Sequence, residues 1–186
     1  VKGFYAGKET YKVRFLPLET GLCRYEIKGI VSKKGEETVE PVESGIGNHG
    51  LVRAVDTHFQ YDDGTPYIPI GTTVYAFTHQ EKEIVDQTVE SLRYAPFNKV
   101  RFCVFPKNYV FNRNEPELFP FEKTDGKWDV NHPNIKFWNE LESRILQLNE
   151  MGIEADLILF HPYDHWGFKD FTREERRDFT IRKEIL

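Results

Sequence analysis

Three short apolar runs, each ending in polar and aromatic residues, limit what this chain can fold into. They are Pro69-Ile-Gly-Thr-Thr-Val-Tyr-Ala-Phe-Thr-His79, Lys99-Val-Arg-Phe-Cys-Val-Phe-Pro106 and Ala155-Asp-Leu-Ile-Leu-Phe-His-Pro-Tyr-Asp-His-Trp166. Helical periodicity separates them. Lys82 to Tyr94 places Ile84, Val85, Val89 and Leu92 on one face, with Pro96 ending the helix. Ile135 to Met151 does the same with Trp138, Leu141, Ile145 and Leu148, and Gly152 supplies the stop. Thr172-Arg-Glu-Glu175 reads as a capping box that opens a third helix. Continuous apolar runs suit strands buried on both faces, here Ile68–Tyr75, Val100–Phe105 and Asp156–Phe160. Strands alternating with helices predict a parallel sheet.

The fold class expected is therefore α/β, the start of a (β/α) barrel of the TIM type with about three βα units over residues 51–186. An open doubly wound sheet is the competing arrangement. No run is followed by a glycine-rich phosphate loop, since Thr78-His-Gln-Glu81 has no G-x-G-x-x-G character. This weakens a nucleotide-binding reading and favours the barrel. The chain ends at Leu186, where a fourth strand would be needed. The expectation is thus an incomplete barrel, with an open sheet edge available for self-association.

Residues 1–50 read as β structure. Tyr11-Lys-Val-Arg-Phe15 and Cys23-Arg-Tyr-Glu-Ile-Lys28 alternate polar and apolar residues and predict two strands joined by a turn at Glu19-Thr-Gly21. Lys33-Lys-Gly-Glu-Glu37 reads as a charged loop, and Ser44-Gly-Ile-Gly-Asn-His-Gly50 as a linker. Too few strands fit here for a complete sandwich, so this module is expected to be a partial, Ig-like β-sandwich. Asp62-Asp-Gly-Thr65 beside Leu51–Val55 and His58–Tyr61 is a hairpin signal. Pro106 to Asn134 is too long for an idle connection, and barrels place function in such loops.

Composition excludes several function classes. The 186 residues carry a net charge of −5, with 25 basic and 30 acidic side chains well mixed, so no basic stripe invites nucleic acid. No run approaches the length of a membrane span. The chain opens on Val1 rather than Met, which suggests that its natural start lies upstream. The compartment stays open, with the cytoplasm slightly favoured. Cys23 and Cys103 lie in different predicted modules and read as unpaired structural residues, and no Cys/His cluster has metal-ligand spacing. Aromatic residues make up 15% of the chain, which leaves two roles for each ring: filling a core or lining a carbohydrate groove.

Three segments resemble a known family: Gly64-Thr-Pro-Tyr-Ile-Pro-Ile-Gly-Thr-Thr73, Phe97-Asn-Lys-Val-Arg-Phe-Cys-Val-Phe-Pro106 and Met151-Gly-Ile-Glu-Ala-Asp-Leu-Ile-Leu-Phe-His-Pro-Tyr-Asp164. They are similar to the apiosidase-like glycoside hydrolases, barrel enzymes related to the retaining clan of cellulases and mannanases. The resemblance runs from about Gly7 to Phe171, and Tyr11–Pro17 resembles a strand of the family's N-terminal β-sandwich. It implies hydrolysis of O-glycosidic bonds in a glycan by two carboxylates ~5–5.5 Å apart, with no cofactor.

In that clan the acid/base Glu follows strand four and the nucleophilic Glu ends strand seven, so the resemblance puts the catalytic pair outside this chain. Glu115, Glu117 and Glu122 match no catalytic motif. The resemblance further implies that Arg101 orients the nucleophile and that His161 lines the sugar subsite at the cleavage point. Tyr75 and His79, with Phe77, end strand one, where they stack on sugar or close the barrel top. Asp164 and Trp166, just past strand three, read as a sugar clamp of carboxylate and stacking indole. Trp138 reads as core and Trp128 as a local cluster. Two other readings stay open: a carbohydrate-binding protein without turnover, and an inactive truncated product.

Overall fold

The computed structural model describes residues 3–41, 43–161 and 170–182. The chain is mixed α/β. Ahead of the helical part lie β1 (Phe4–Tyr5), β2 (Tyr11–Lys12), β3 (Gly21–Ile27), β4 (Lys33–Val39), β5 (Val52–Val55) and β6 (His58–Tyr61). The α/β part runs β7 (Gly71–Thr73), α1 (Lys82–Tyr94), β8 (Lys99–Cys103), β9 (Phe121–Thr124), β10 (Lys127–Pro133), α2 (Ile135–Glu150), β11 (Glu154–Ile158) and α3 (Arg173–Arg182).

The predicted parallel sheet is present. β8 is central, with β7 and β11 parallel on either side. Val100, Phe102 and Val104 lie fully buried on its helix-facing side, packed with Val85, Val89 and Leu92 of α1 and Leu141 and Leu148 of α2. No closed barrel forms among the described residues. One consequence corrects the sequence reading. β7 is an edge strand, and Ile68 and Ile70 beside it are exposed, so this run is not buried on both faces. Ile84 also lies off the buried face of α1.

Two helix signals appear where expected. Gly152 (φ +75°) ends α2, with its N–H on the Asn149 carbonyl and the Ile153 N–H on that of Leu148. At α3 the capping box is reciprocal: Thr172 N donates to the Glu175 carboxylate at 2.7 Å, and Glu175 N donates to Thr172 Oγ1 at 3.1 Å.

The N-terminal strands differ from expectation. Tyr11–Lys12 pairs with Phe4–Tyr5, and β3 pairs with β4, the segment read as a charged loop. Its charges are the reason it can be a strand. Glu36 faces Arg24 across the ladder at 2.7 Å, and Lys34 faces Glu26 at 3.1 Å, so opposite charges match in register. Gly35 lies under the Tyr25 ring, where any Cβ would collide. Among the described residues these strands form two separate two-stranded ladders. Lys12 and Arg14 reach α2, where both approach Glu142.

β5 and β6 reverse at Asp56 (φ +50°), and a second turn at Asp62–Thr65 lays Pro66 and Tyr67 beside β6, with Gly64 at φ +85°. The long excursion holds a hairpin of its own. β9 and β10 turn at Asp125 and Gly126, both with positive φ, a type I′ signature.

Candidate functional site

Parallel register sets which side chains share a face. Thr73, Arg101 and Asp156 form one row across the sheet, and Gly71, Lys99 and Glu154 form the row beneath it. This face points away from the helices and is polar. Arg101 Nε and Nη2 both donate to Asp156 Oδ2, at 2.9 and 2.8 Å, and the arginine side chain is 57% exposed. A pair this exposed adds little stability, at most about 1 kcal/mol.

The lower row is bound more tightly. Glu154 accepts from Tyr61 Oη at 2.8 Å and Tyr67 Oη at 3.0 Å, and Lys99 Nζ lies 3.3 Å from the same carboxylate. Partial burial, then the bond to Glu154, pushes the Tyr61 phenol well above its ordinary range. Both carboxylates on this face, Glu154 and Asp156, are therefore held by cations.

The next position up is Tyr75, whose carbonyl accepts from Cys103 N at 2.9 Å. Alternation puts its ring on the face of Thr73 and Arg101, at the C-terminal ends of the strands. That is the end where α/β barrels gather functional groups. Lys107 Nζ lies 4.0 Å from the Tyr75 ring centroid and 4.7 Å from that of Tyr109. Tyr75 meets Tyr109 edge-on at 6.5 Å, and Tyr109 meets Phe111 edge-on at 5.8 Å.

His79 and His161 lie one layer back. His79 is 3% exposed, sits 3.0 Å from the Val104 carbonyl through Nε2 and stacks on Phe137 of α2. Burial lowers its pKa to about 4, so the ring is neutral near pH 7. His161 is also buried, with Nε2 3.4 Å from the Phe105 carbonyl. The structure thus brings Tyr75 and Arg101 onto one accessible face and tucks the two histidines under the strand ends. Asp164 and Trp166 lie outside the described residues. Trp138 is core, its Nε1 donating to the Pro120 carbonyl at 2.9 Å, and Trp128 packs locally against Phe119.

Sequence reasoning did not single out Asp156, Lys107, Tyr109 or Phe111. The signal for the last three was the run Lys107-Asn-Tyr-Val-Phe111, two rings in a stretch with no helical or strand partner.

A solved structure from Bacteroides vulgatus ATCC 8482 aligns with 96% of this chain at 45% identity and a TM-score of 0.83. The chain resembles a candidate glycoside hydrolase. It spans 38% of that protein's length, and over the shared region the two have the same fold. Two further solved structures each align with 59% of the chain at a TM-score of 0.43. One is named a glycoside hydrolase (13% identity) and one a glycoside hydrolase family 5 protein from the same B. vulgatus strain (18%). No protein-family model and no curated protein matches the chain.

Proposed function

We propose that this chain is the opening part of a retaining glycoside hydrolase of the apiosidase-like type. It contributes the first three βα units of a barrel and part of a preceding β-sandwich. The observation that carries the reading is the 45% identity over nearly the whole chain to a protein named as a candidate glycoside hydrolase. The polar sheet face supports it. In this reading Arg101, already oriented by Asp156, positions the nucleophilic carboxylate. Tyr75 lines the sugar site, and Asp164 and Trp166, just past the third strand run in sequence, complete it. His161 and His79 hold the strand ends at their carbonyls, fixing the floor on which the sugar rests. The resemblance puts the catalytic carboxylate pair in chain beyond these residues; here Glu154 and Asp156 are engaged by Lys99 and Arg101.

The test compares the full gene product that carries this chain with the 186-residue chain alone on a panel of aryl glycosides. The expected result is cleavage by the full product, with the first-formed sugar retaining its anomeric configuration by NMR, and no turnover by the chain alone. Turnover by the chain alone would place the carboxylate pair inside it. Glycan binding by the full product without cleavage would favour a non-catalytic carbohydrate-binding protein, the reading that the exposed rings at the strand ends support next best.

A further inference from the structure

A tight turn follows β8. Tyr109 N donates to the Asn112 carbonyl and Asn112 N to the Tyr109 carbonyl, each at 2.9 Å, which leaves Val110 and Phe111 at the tip. Turn tips favour Gly, Asn, Asp or Pro. Here the tip holds two apolar side chains, 68% and 86% exposed. At that exposure the two side chains bury little of their surface, yet the turn is built to stay in place. Asn112 is buried, donates through Nδ2 to the Lys107 carbonyl at 2.9 Å and accepts from Gln80 Nε2 at 2.6 Å. Asn114 Nδ2 donates to Gln80 Oε1 at 3.0 Å, which ties the turn to the loop after β7. Tyr75, Tyr109 and Phe111 continue edge-on from one to the next, with the Lys107 ammonium set over the first two.

We propose that Tyr75, Lys107, Tyr109 and Phe111 form a glycan-stacking subsite, with the Phe111 ring as a platform for one pyranose unit of an oligosaccharide. The chemistry selects the occupant. A sugar presents a C–H face to an aromatic ring and hydroxyls to its surroundings. This cluster offers the exposed Phe111 ring, continued edge-on by Tyr109 and Tyr75, with the Lys107 ammonium over the latter two. The subsite extends the polar face of Arg101 and Asp156 outward, at the C-terminal ends of the strands, and takes a sugar unit away from the bond cleaved. It rests on the glycoside hydrolase reading for its occupant and on the turn's geometry for its place.

The experiment observes aromatic NMR shifts of the 186-residue chain with cello-, xylo- and mannohexaose, and repeats it with F111A and F111W. In parallel, the full gene product and its F111A variant are assayed on aryl monosaccharide glycosides and on the same hexasaccharides. The expected result is a saturable shift of the Phe111 and Tyr109 resonances with at least one hexasaccharide. F111A weakens that binding about tenfold, the order of one aromatic stacking contact, and F111W restores it. On the full product, F111A raises KM for the hexasaccharide and leaves aryl monosaccharide cleavage unchanged. Shifts that bypass Phe111, or equal affinity in F111A, overturn the subsite while aryl glycoside cleavage keeps the hydrolase reading. A fall in thermal stability of the full product in F111A also overturns it, because the ring would then be packing against protein. Stacking retained with no cleavage of any glycoside keeps the subsite and sinks the hydrolase reading.

Discussion

At the scale of single residues, two buried or half-buried groups set how this chain answers to pH. His79 has a folded pKa near 4 against an ordinary 6.5, chiefly because burial disfavours its charged form. Between those values the unfolded chain binds the proton and the folded chain does not. Stability therefore falls as pH drops from about 6.5 towards 4, by up to about 3 kcal/mol, and is complete above that window. Urea unfolding at neutral pH and near pH 5 measures this, and H79Q flattens the difference. The carboxylates act in a separate, lower window. Asp129 is held at about 2 by the Asn131 backbone N–H, then His132 and Thr124, and Asp63 is lowered mainly by His49. Both lose their contribution only as pH falls below the ordinary carboxylate range. Glu154 is the second centre. E154Q keeps its shape and removes the charge facing Lys99 and two phenols, so it costs about 1–2 kcal/mol in denaturant unfolding. Tyr61 then titrates closer to its ordinary range, though not fully, since burial is the larger cause of its rise. In the parent chain the raised phenol favours the folded state's neutral form, so stability declines as pH climbs past the ordinary tyrosine value.

At the scale of elements, what was legible in the sequence depended on whether the signal was local. The capping box at Thr172 and Glu175, the glycine stop at Gly152 and the α1 span were readable because each is decided within a few residues of chain. β4 was not, because Lys33–Glu37 makes sense as a strand only beside Arg24 and Glu26, and single-sequence reading cannot see a partner. The β9–β10 hairpin carried its Asp125-Gly126 signal openly. Lys127-Trp-Asp-Val-Asn131 alternates, but Phe121-Glu-Lys-Thr124 does not, so the partner strand was hidden. The candidate site divided the same way. Arg101 and Tyr75 could be placed from the strand runs, whereas the pairing of Arg101 with Asp156 depends on a register between strands 55 residues apart. The helix stop is testable by itself. At φ +75° an alanine in place of Gly152 is strained, and its Cβ would meet Ile46 Cγ2 at 3.3 Å. G152A costs about 1–2 kcal/mol, read as a shift in the urea midpoint with unchanged slope.

At the scale of the whole molecule, the three-stranded parallel sheet has two edges among the described residues, β7 and β11. β11 is half-buried along its length, and the polar row of Arg101 and Asp156 opens beside it. Beyond β7 the side chains of Ile68 and Ile70 stand exposed, although their backbones are tied to the Asn98 side chain. Native sheets blunt such edges with charge, proline or cover, and neither isoleucine does so. The chain by itself is therefore expected to self-associate, its weight-average mass in light scattering rising with concentration. The double variant I68K/I70K places two cations on the β7 side while keeping both backbone bonds to Asn98, so it lowers that rise without unfolding the sheet. The full gene product is expected to stay monomeric over the same range, because in the barrel reading further strands pair with both edges. A parent chain that remains monomeric throughout would mean that the twist of three strands and the masking by Asn98 already protect these edges. A full product that associates as strongly as the chain would count against closure of the sheet into a barrel.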